Sequence, residues 1–287
     1  LAVVVSPIGL LHPGEMGAAI GAVLVGTGRT VSWASADRSA STARRATAAG
    51  LVDLQSLQAV AERCDLIVSV CPPHAALDLA QQVAECRFGG TYLDANAIAP
   101  RTARQVAAVV QAGGGRYVDG GIIGAPPSPL ITTRLYLSGP GAAEVGGLFA
   151  GTAVDARVMS GDLAAASALK MCFAAWTKGT AALLLDIRAL ALAEGVEADL
   201  LAEWQGSLPE LEGRSLQAAR QAATKGWRWV GEMEQIAATF RAAGLPDGFH
   251  RAAAAVYAGP TRDELAAADA ATLADVLAAL GAEDSPD

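Results

Sequence analysis

Residues 162–194 run without a proline, opened by Ser160, Gly161 and Asp162 as helix start signals and closed by Gly195 as a stop. The spacing predicts one helix, roughly 50 Å long at 1.5 Å per residue. Leu163, Leu169, Met171, Phe173, Trp176, Leu183, Leu184, Leu185, Ile187, Leu190 and Leu192 point all round its axis with alanines between them, the pattern of a helix covered on every face. One small domain has no need of such length, so cover is expected from elements on both sides. A membrane span needs about 20 uninterrupted apolar residues, and Lys170, Lys178, Asp186 and Arg188 break this run. A lysine near the start of a buried helix is costly unless it is paired or exchanges a proton. Lys170 is therefore the residue that needs an explanation.

The rest of the chain sets the frame for that helix. Its 287 residues suffice for two domains. A net charge of −8 with no basic cluster argues against nucleic acid and anionic membranes as partners, which leaves small molecules or protein. Cys64, Cys71, Cys86 and Cys172 form no C-x-x-C pair and only three histidines are present, so neither a metal site nor a disulfide framework is expected. A cytoplasmic, reducing setting follows. Residues 1–5 are apolar but too short for a signal-peptide core.

Ahead of the long helix, β-rich runs near 8–11, 30–34, 65–70, 91–94, 116–119, 132–137 and 154–158 alternate with helical stretches from about Glu15, Ser39, His74, Ala99 and Ala142. That alternation predicts a doubly wound α/β domain over 1–161. Strand signals then stop. Helices are expected over 199–205, 209–221, 227–243, 246–258 and 267–280, with a Gly-Leu-Pro-Asp-Gly turn at 244–248 and a disordered acidic tail over 283–287, giving an all-α domain over 162–287.

The first strand passes into the first helix through His12, Pro13, Gly14, Glu15, Met16 and Gly17. In a dinucleotide fingerprint, G-x-G-x-x-G, glycines permit a tight turn, close approach to the pyrophosphate and strand–helix packing, and the helix N-terminus binds the anion. Here His12 takes the first glycine position, and Gly14 and Gly17 take the second and third. The residues also admit a strand over 1–5 with 7–13 as an inserted loop. NAD-selective folds place an acid about 20 residues further on, whereas NADP-selective ones offer an arginine. After Trp33 the chain reads Ala34, Ser35, Ala36, Asp37, Arg38, Ser39. Arg38 and Ser39, with Thr42 and Arg45, are expected around a 2′-phosphate, so NADP(H) is expected over NAD(H). Asp37 is the residue that would reverse this by turning inward.

On these motifs the sequence resembles the β-hydroxyacid dehydrogenases and their 6-phosphogluconate dehydrogenase and imine reductase relatives, over nearly its whole length. It is most similar to the branch with a phosphogluconate-dehydrogenase-like C-terminal domain. The resemblance implies a Rossmann-like domain, an all-α domain and a long interdomain helix between them. It implies that Val70, Cys71 and Pro72 lie along the cofactor, with His74 as a polar cap nearby, and that Asp94, Ala95 and Asn96 reach the nicotinamide region. The run from Asp119 to Gly124 falls where the family has its D-x-P-x-S-G segment, which places Ile122, Ile123 and Gly124 in the substrate pocket. Lys170 falls at the family's catalytic lysine, on the cleft side of the interdomain helix. Ala174 and Thr177 follow it, and Trp229, Glu232 and Met233 help to close the cleft.

The departures bear on the substrate. Ile123 replaces the segment's serine and Ala174 replaces the asparagine one turn after the lysine, so two hydrogen bonds to a hydroxy acid are lost. Phe173 and Thr177 stand where 6-phosphogluconate dehydrogenases have histidine and glutamate, which disfavours that sugar phosphate. Imine reductases usually carry Asp or Tyr at the lysine position. The expectation is an NAD(P)-dependent oxidoreductase acting on an alcohol/carbonyl pair through Lys170, with imine reduction and a non-catalytic cofactor-binding dimer as alternatives. The all-round apolar helix adds a homodimer with interlocked helical domains. Lys178 is expected in a structural ion pair, and Cys172 as a small buried apolar residue.

Overall fold

A computed structural model describes residues 7–258. Contacts divide the chain into two units after Met171. The division falls later than the boundary expected at Gly161, because the first turn of the long helix is bonded to strands of the first unit, as described below.

The first unit is built on an eight-stranded sheet in the order β3-β2-β1-β4-β5-β6-β7-β8. The strands are β1 (Ile8–Leu11), β2 (Val31–Trp33), β3 (Val52–Asp53), β4 (Leu66–Ser69), β5 (Thr91–Asp94), β6 (Arg116–Ile123), β7 (Thr133–Ser138) and β8 (Val154–Val158). All pairs are parallel except β6 with β7. The helices are α1 (Glu15–Gly26), α2 (Ala40–Ala48), α3 (Leu57–Arg63), α4 (Ala76–Glu85), α5 (Pro100–Ala112) and α6 (Ala142–Gly147). Successive residues feed opposite faces. Leu10, Val68, Leu93 and Val118 enter one core, while Leu11, Ile67, Tyr92 and Tyr117 enter the other. Each fully buried aliphatic side chain contributes about 1.5–3 kcal/mol, so both layers hold the sheet.

The expected strands form, and two further elements appear. Strand β3 is two residues long with both side chains exposed, so it carries no apolar alternation. Helix α3 is a short turn whose Ser56 hydroxyl accepts the Ala59 amide. Strand β6 also runs past Asp119, the expected end, because Gly120 and Gly121 pair with Leu137 and Tyr136 of β7 rather than forming a turn.

Helix α7 (Ala165–Ala193) begins in the first unit and ends in the second. Asp162 precedes it rather than starting it: its carboxylate accepts the Ala164 amide and pairs with Arg104. The second unit continues with α8 (Glu197–Ser207), α9 (Glu210–Ala242) and α10 (Gly248–Ala258). The helices expected over 209–221 and 227–243 are one, since no proline interrupts them and Gly226 packs against the Tyr257 ring. Gly244, at φ +73°, closes α9 in the expected turn. The expected helix 267–280 and the tail 283–287 lie outside the described residues.

Among the described residues, cover on every face of α7 is incomplete. Met171, Ala174, Leu184 and Leu185 are buried, but Trp176 is 65% exposed and Leu190 63%. Cys172 is exposed, not buried, because it lies on that open side. Arg188, on the covered side, donates to Ser215 Oγ at 2.9 Å and pairs with Glu197. Among the described residues no helix is long and apolar enough to cross a membrane, and no group of His, Cys, Asp or Glu is arranged to hold a metal.

Candidate functional site

The strand order reverses between β1 and β4, and in open α/β sheets ligands bind outside the carboxyl ends of the strands at that point. The loop after β1 is the glycine loop. His12 holds φ +60°, and its carbonyl accepts the Gly14 amide at 2.7 Å. A Cβ on Gly17 would fall 2.7 Å from that same carbonyl oxygen, so only glycine fits there, and Val70 packs alongside. A Cβ on Gly14 would meet nothing nearer than 4.0 Å, and α1 has no side-chain cap. The loop therefore has open space in front of uncapped amides, the form a pyrophosphate requires. Glu15 is exposed and Met16 half-buried in the first turn of α1.

The loop after β2 brings a cationic corner against this one. Arg38 Nη1 lies 3.4 Å from His12 Nδ1, and Arg45 reaches the Pro13 carbonyl at 3.4 Å and Thr42 Oγ1 at 3.1 Å. Ser39 caps α2 by accepting the Thr42 amide. Burial first, and the Arg38 charge second, push the His12 imidazole down to about 4, so it is neutral near pH 7. Asp37 is exposed at φ +59°. The acid that serves this loop is Asp53, whose carboxylate accepts the Ser35 and Gln55 amides.

At the ends of β4 and β5, and midway along β6, lies a second, buried polar cluster. Asn96 turns inward: Oδ1 accepts the Cys71 amide at 2.6 Å and Nδ2 donates to Ser69 Oγ at 3.1 Å. Its side chain thus fixes the loop of Cys71 and Pro72. Burial pushes the Cys71 thiol up to about 12, which leaves it protonated and unreactive. Pro72 and His74 are exposed. Asp94 accepts the Asn96 amide and the Tyr117 hydroxyl, which also lies 3.5 Å from Asp119. Desolvation, then the Asp119 charge, raise Asp94 to about 7.

Asp119 holds the start of α7. It accepts the Ser167 amide at 2.7 Å, Ser167 Oγ at 2.6 Å and Ser138 Oγ at 3.3 Å, while Ser138 Oγ accepts the Ala166 amide at 3.0 Å. Two strands thereby satisfy first-turn amides that a helix leaves open. A carboxylate also favours a helix N-terminus. Lys170 follows Ser167 by one turn. A Cβ on Gly121 would lie 2.6 Å from the Ala166 carbonyl and 3.3 Å from Lys170 Cβ, so the glycine allows β6 to abut the turn that carries the lysine. Of the other residues in this unit expected at a substrate pocket, Ile122 and Ile123 are buried in the extended β6 and Gly124 turns the chain at φ +131°.

Ala174, Thr177, Trp229, Glu232 and Met233 belong to the second unit. Ala174 and Met233 are fully buried, and Thr177 donates back to the Phe173 carbonyl. Glu232 pairs with Lys178 at 2.9 Å, and the Lys178 ammonium lies 5.6 Å from the Trp229 ring centroid. Trp229 stacks edge-on against Tyr257. Sequence reasoning found the cationic corner but missed the Asp119–Ser167–Ser138 bonding. Its one available signal was Ser167, a polar residue among alanines in the opening turn.

Comparison with known proteins bears on the fold and the cofactor domain. Residues 6–141 match the NAD binding domain of 6-phosphogluconate dehydrogenase, and residues 191–259 match a domain of unknown function, DUF1932. No curated protein matches the sequence. Among solved structures, the 3-hydroxyisobutyrate dehydrogenase of Mycobacterium tuberculosis with L-serine is 19% identical at TM-score 0.70, covering 96% of this chain and 98% of that one. A reductive aminase from Aspergillus terreus with NADPH and ethyl levulinate is 21% identical at TM-score 0.56, covering 96% and 98%. A conserved hypothetical protein from Sinorhizobium meliloti is 22% identical at TM-score 0.65, covering 97% and 96%. The chain thus carries a 6-phosphogluconate dehydrogenase-type NAD-binding domain followed by a DUF1932 domain, on a fold shared with 3-hydroxyisobutyrate dehydrogenase and reductive aminase structures.

Proposed function

We propose that this protein is an NADP(H)-dependent oxidoreductase acting on an alcohol/carbonyl pair, with Lys170 as general acid and base. The observation that carries the reading is the pairing of an open glycine loop with the Arg38, Arg45, Ser39 and Thr42 corner, which offers two guanidiniums and several hydroxyls. When bound, the nicotinamide supplies hydride to the substrate carbon or accepts it. Lys170 gives a proton to the substrate oxygen in reduction and takes it back in oxidation. Asp119, through Ser167, positions the helical turn that bears it. Ile123 and Ala174 are buried and apolar where the superfamily offers hydrogen bonds to a hydroxy acid, which supports imine reduction as the second reading.

The exposed apolar side of α7, with Trp176, Leu183 and Leu190, supports a homodimer with interlocked helical domains. Light scattering at micromolar concentration is expected to give twice the chain mass, and a stable active monomer contradicts it. Four free cysteines fit a cytoplasmic protein.

The test of the reaction is NADPH turnover across keto acids, hydroxy acids and cyclic imines, in wild type and Lys170→Met. Loss of a positioned proton donor typically costs on the order of 10²–10⁴ in rate. The variant is expected to lose that much while keeping its melting temperature and NADPH affinity. Near-native turnover refutes the role of Lys170, and tight NADPH binding with no wild-type turnover on any class supports the non-catalytic alternative.

A further inference from the structure

The glycine loop departs from its fingerprint at one position, and the departure carries a backbone cost. His12 sits at φ +60°, where a non-glycine residue is uncommon and glycine is at ease. A strained residue at a ligand-binding turn, where glycine would serve the backbone better, points to a use for its side chain. The imidazole has one: Nδ1 lies 3.4 Å from Arg38 Nη1. A guanidinium only donates, so Nδ1 is the acceptor and the ring proton resides on Nε2. The half-buried ring is neutral at working pH, as already derived, so it holds Arg38 without repelling it.

The second arginine is tied to the next residue of the same loop. Arg45 donates to the Pro13 carbonyl and braces itself on Thr42 Oγ1. Ser39 Oγ lies 2.9 Å from Ser41 Oγ and 3.0 Å from Thr42 Oγ1, so hydroxyls stand in a cluster at the start of α2. Both arginines are exposed, but Arg38 stands on a loop and Arg45 on α2, and an untethered side chain on a loop would lose rotamer freedom on closing over a ligand. His12 removes part of that loss in advance.

We propose that His12 is a specificity-determining residue: by standing in the first glycine position it docks Arg38 and preforms the site for the 2′-phosphate of NADP(H). The inference rests on the NADP(H) reading above. It makes the altered loop part of cofactor choice instead of a weakened fingerprint.

The test is equilibrium binding of NADPH, NADH and 2′,5′-ADP to wild type, His12→Gly, His12→Asn and Arg38→Ala. Glycine and asparagine both tolerate the left-handed conformation, so the loop keeps its path, and retained melting temperatures check this. Both His12 variants are expected to weaken NADPH and 2′,5′-ADP on the order of tenfold, the worth of one hydrogen bond to a charged group, and to leave NADH unchanged. Arg38→Ala is expected to lose more. Equal losses for NADPH and NADH, or a wild-type preference ratio in both His12 variants, overturn the inference while leaving the cofactor reading intact. A wild-type preference for NADH overturns that reading, and the inference with it.

Discussion

The corner around Arg38, past the end of β2, and the cluster around Asp119, level with the end of β5, belong to the same sheet, and they handle charge in opposite ways. Arg38, Ser39 and Ser41 stand in water, and their contacts leave most guanidinium donors uncommitted. Asp94 and Asp119 have no exposed surface, and hydroxyls and amides from β6, β7 and α7 converge on them. Charge held in water at low cost is available to a ligand. Charge taken out of water must be satisfied at once, and the groups that satisfy it become fixed in place. The first cluster is thus suited to recognition, and the second to fixing where α7 begins.

The largest effect expected from breaking this contrast is at Asp119. In Asp119→Asn the amide nitrogen replaces one oxygen, yet both oxygens now accept donors: Ser167 Oγ and Tyr117 on one, the Ser167 amide and Ser138 Oγ on the other. In place of Oδ2 the amide nitrogen faces the Ser167 amide, donor against donor; in place of Oδ1 it faces two hydroxyls, which must turn to accept and give up their bonds to the carboxylate. The expected cost is about 3 kcal/mol in denaturant unfolding, from hydrogen bonds to a charged group lost inside the protein. Arg38→Ala, the matching change in the exposed corner, is expected to stay within about 0.5 kcal/mol of wild type. Equal costs for the two variants would end the distinction between the clusters.

The two clusters also differ in how far the sequence reveals them. A corner of the Arg38 kind is written locally: a glycine loop, then a short strand, then an arginine past the strand's end. Contacts between such segments follow once the parallel order is inferred. The Asp119 cluster joins residues from β5, β6, β7 and the opening of α7, distant along the chain, and no spacing announces it. Asn96 illustrates the difference. Its place at a strand end was readable, but its commitment to Cys71 and Ser69 was not, because the direction of a buried side chain is set by packing. Strand β3 and helix α3 escaped for another reason: they are too short to show a period. The two helices expected around Gly226 merge because intrinsic preference is weak against tertiary packing, here against Tyr257. The open side of α7 was legible as composition only, since an apolar residue does not state whether its own chain or another covers it.

A smaller and opposite effect is expected within the buried cluster itself, at Asp94. Asp119 receives its bonds from four donor groups, whereas Asp94 has the Asn96 amide and a Tyr117 hydroxyl shared with Asp119. Its carboxyl is accordingly raised from 3.8 to about 7, by burial first and by the Asp119 charge second. Between those two values the folded chain retains a proton that the unfolded chain has lost, so the contribution of Asp94 to stability is full below about 4 and declines as pH rises to about 7. Asparagine at this site mimics the protonated acid. Its oxygen can still accept the Asn96 amide, and its nitrogen can donate to the Tyr117 oxygen, which frees that hydroxyl to donate to Asp119. Asp94→Asn is therefore expected to match wild type near pH 4 and to exceed it at pH 8, by on the order of 1 kcal/mol after the relaxation that buried charges usually find. Melting temperatures of both proteins across that range measure the gap. A gap independent of pH, or a variant weaker at pH 8, would place the ionised Asp94 with Asp119 among the charges the fold requires.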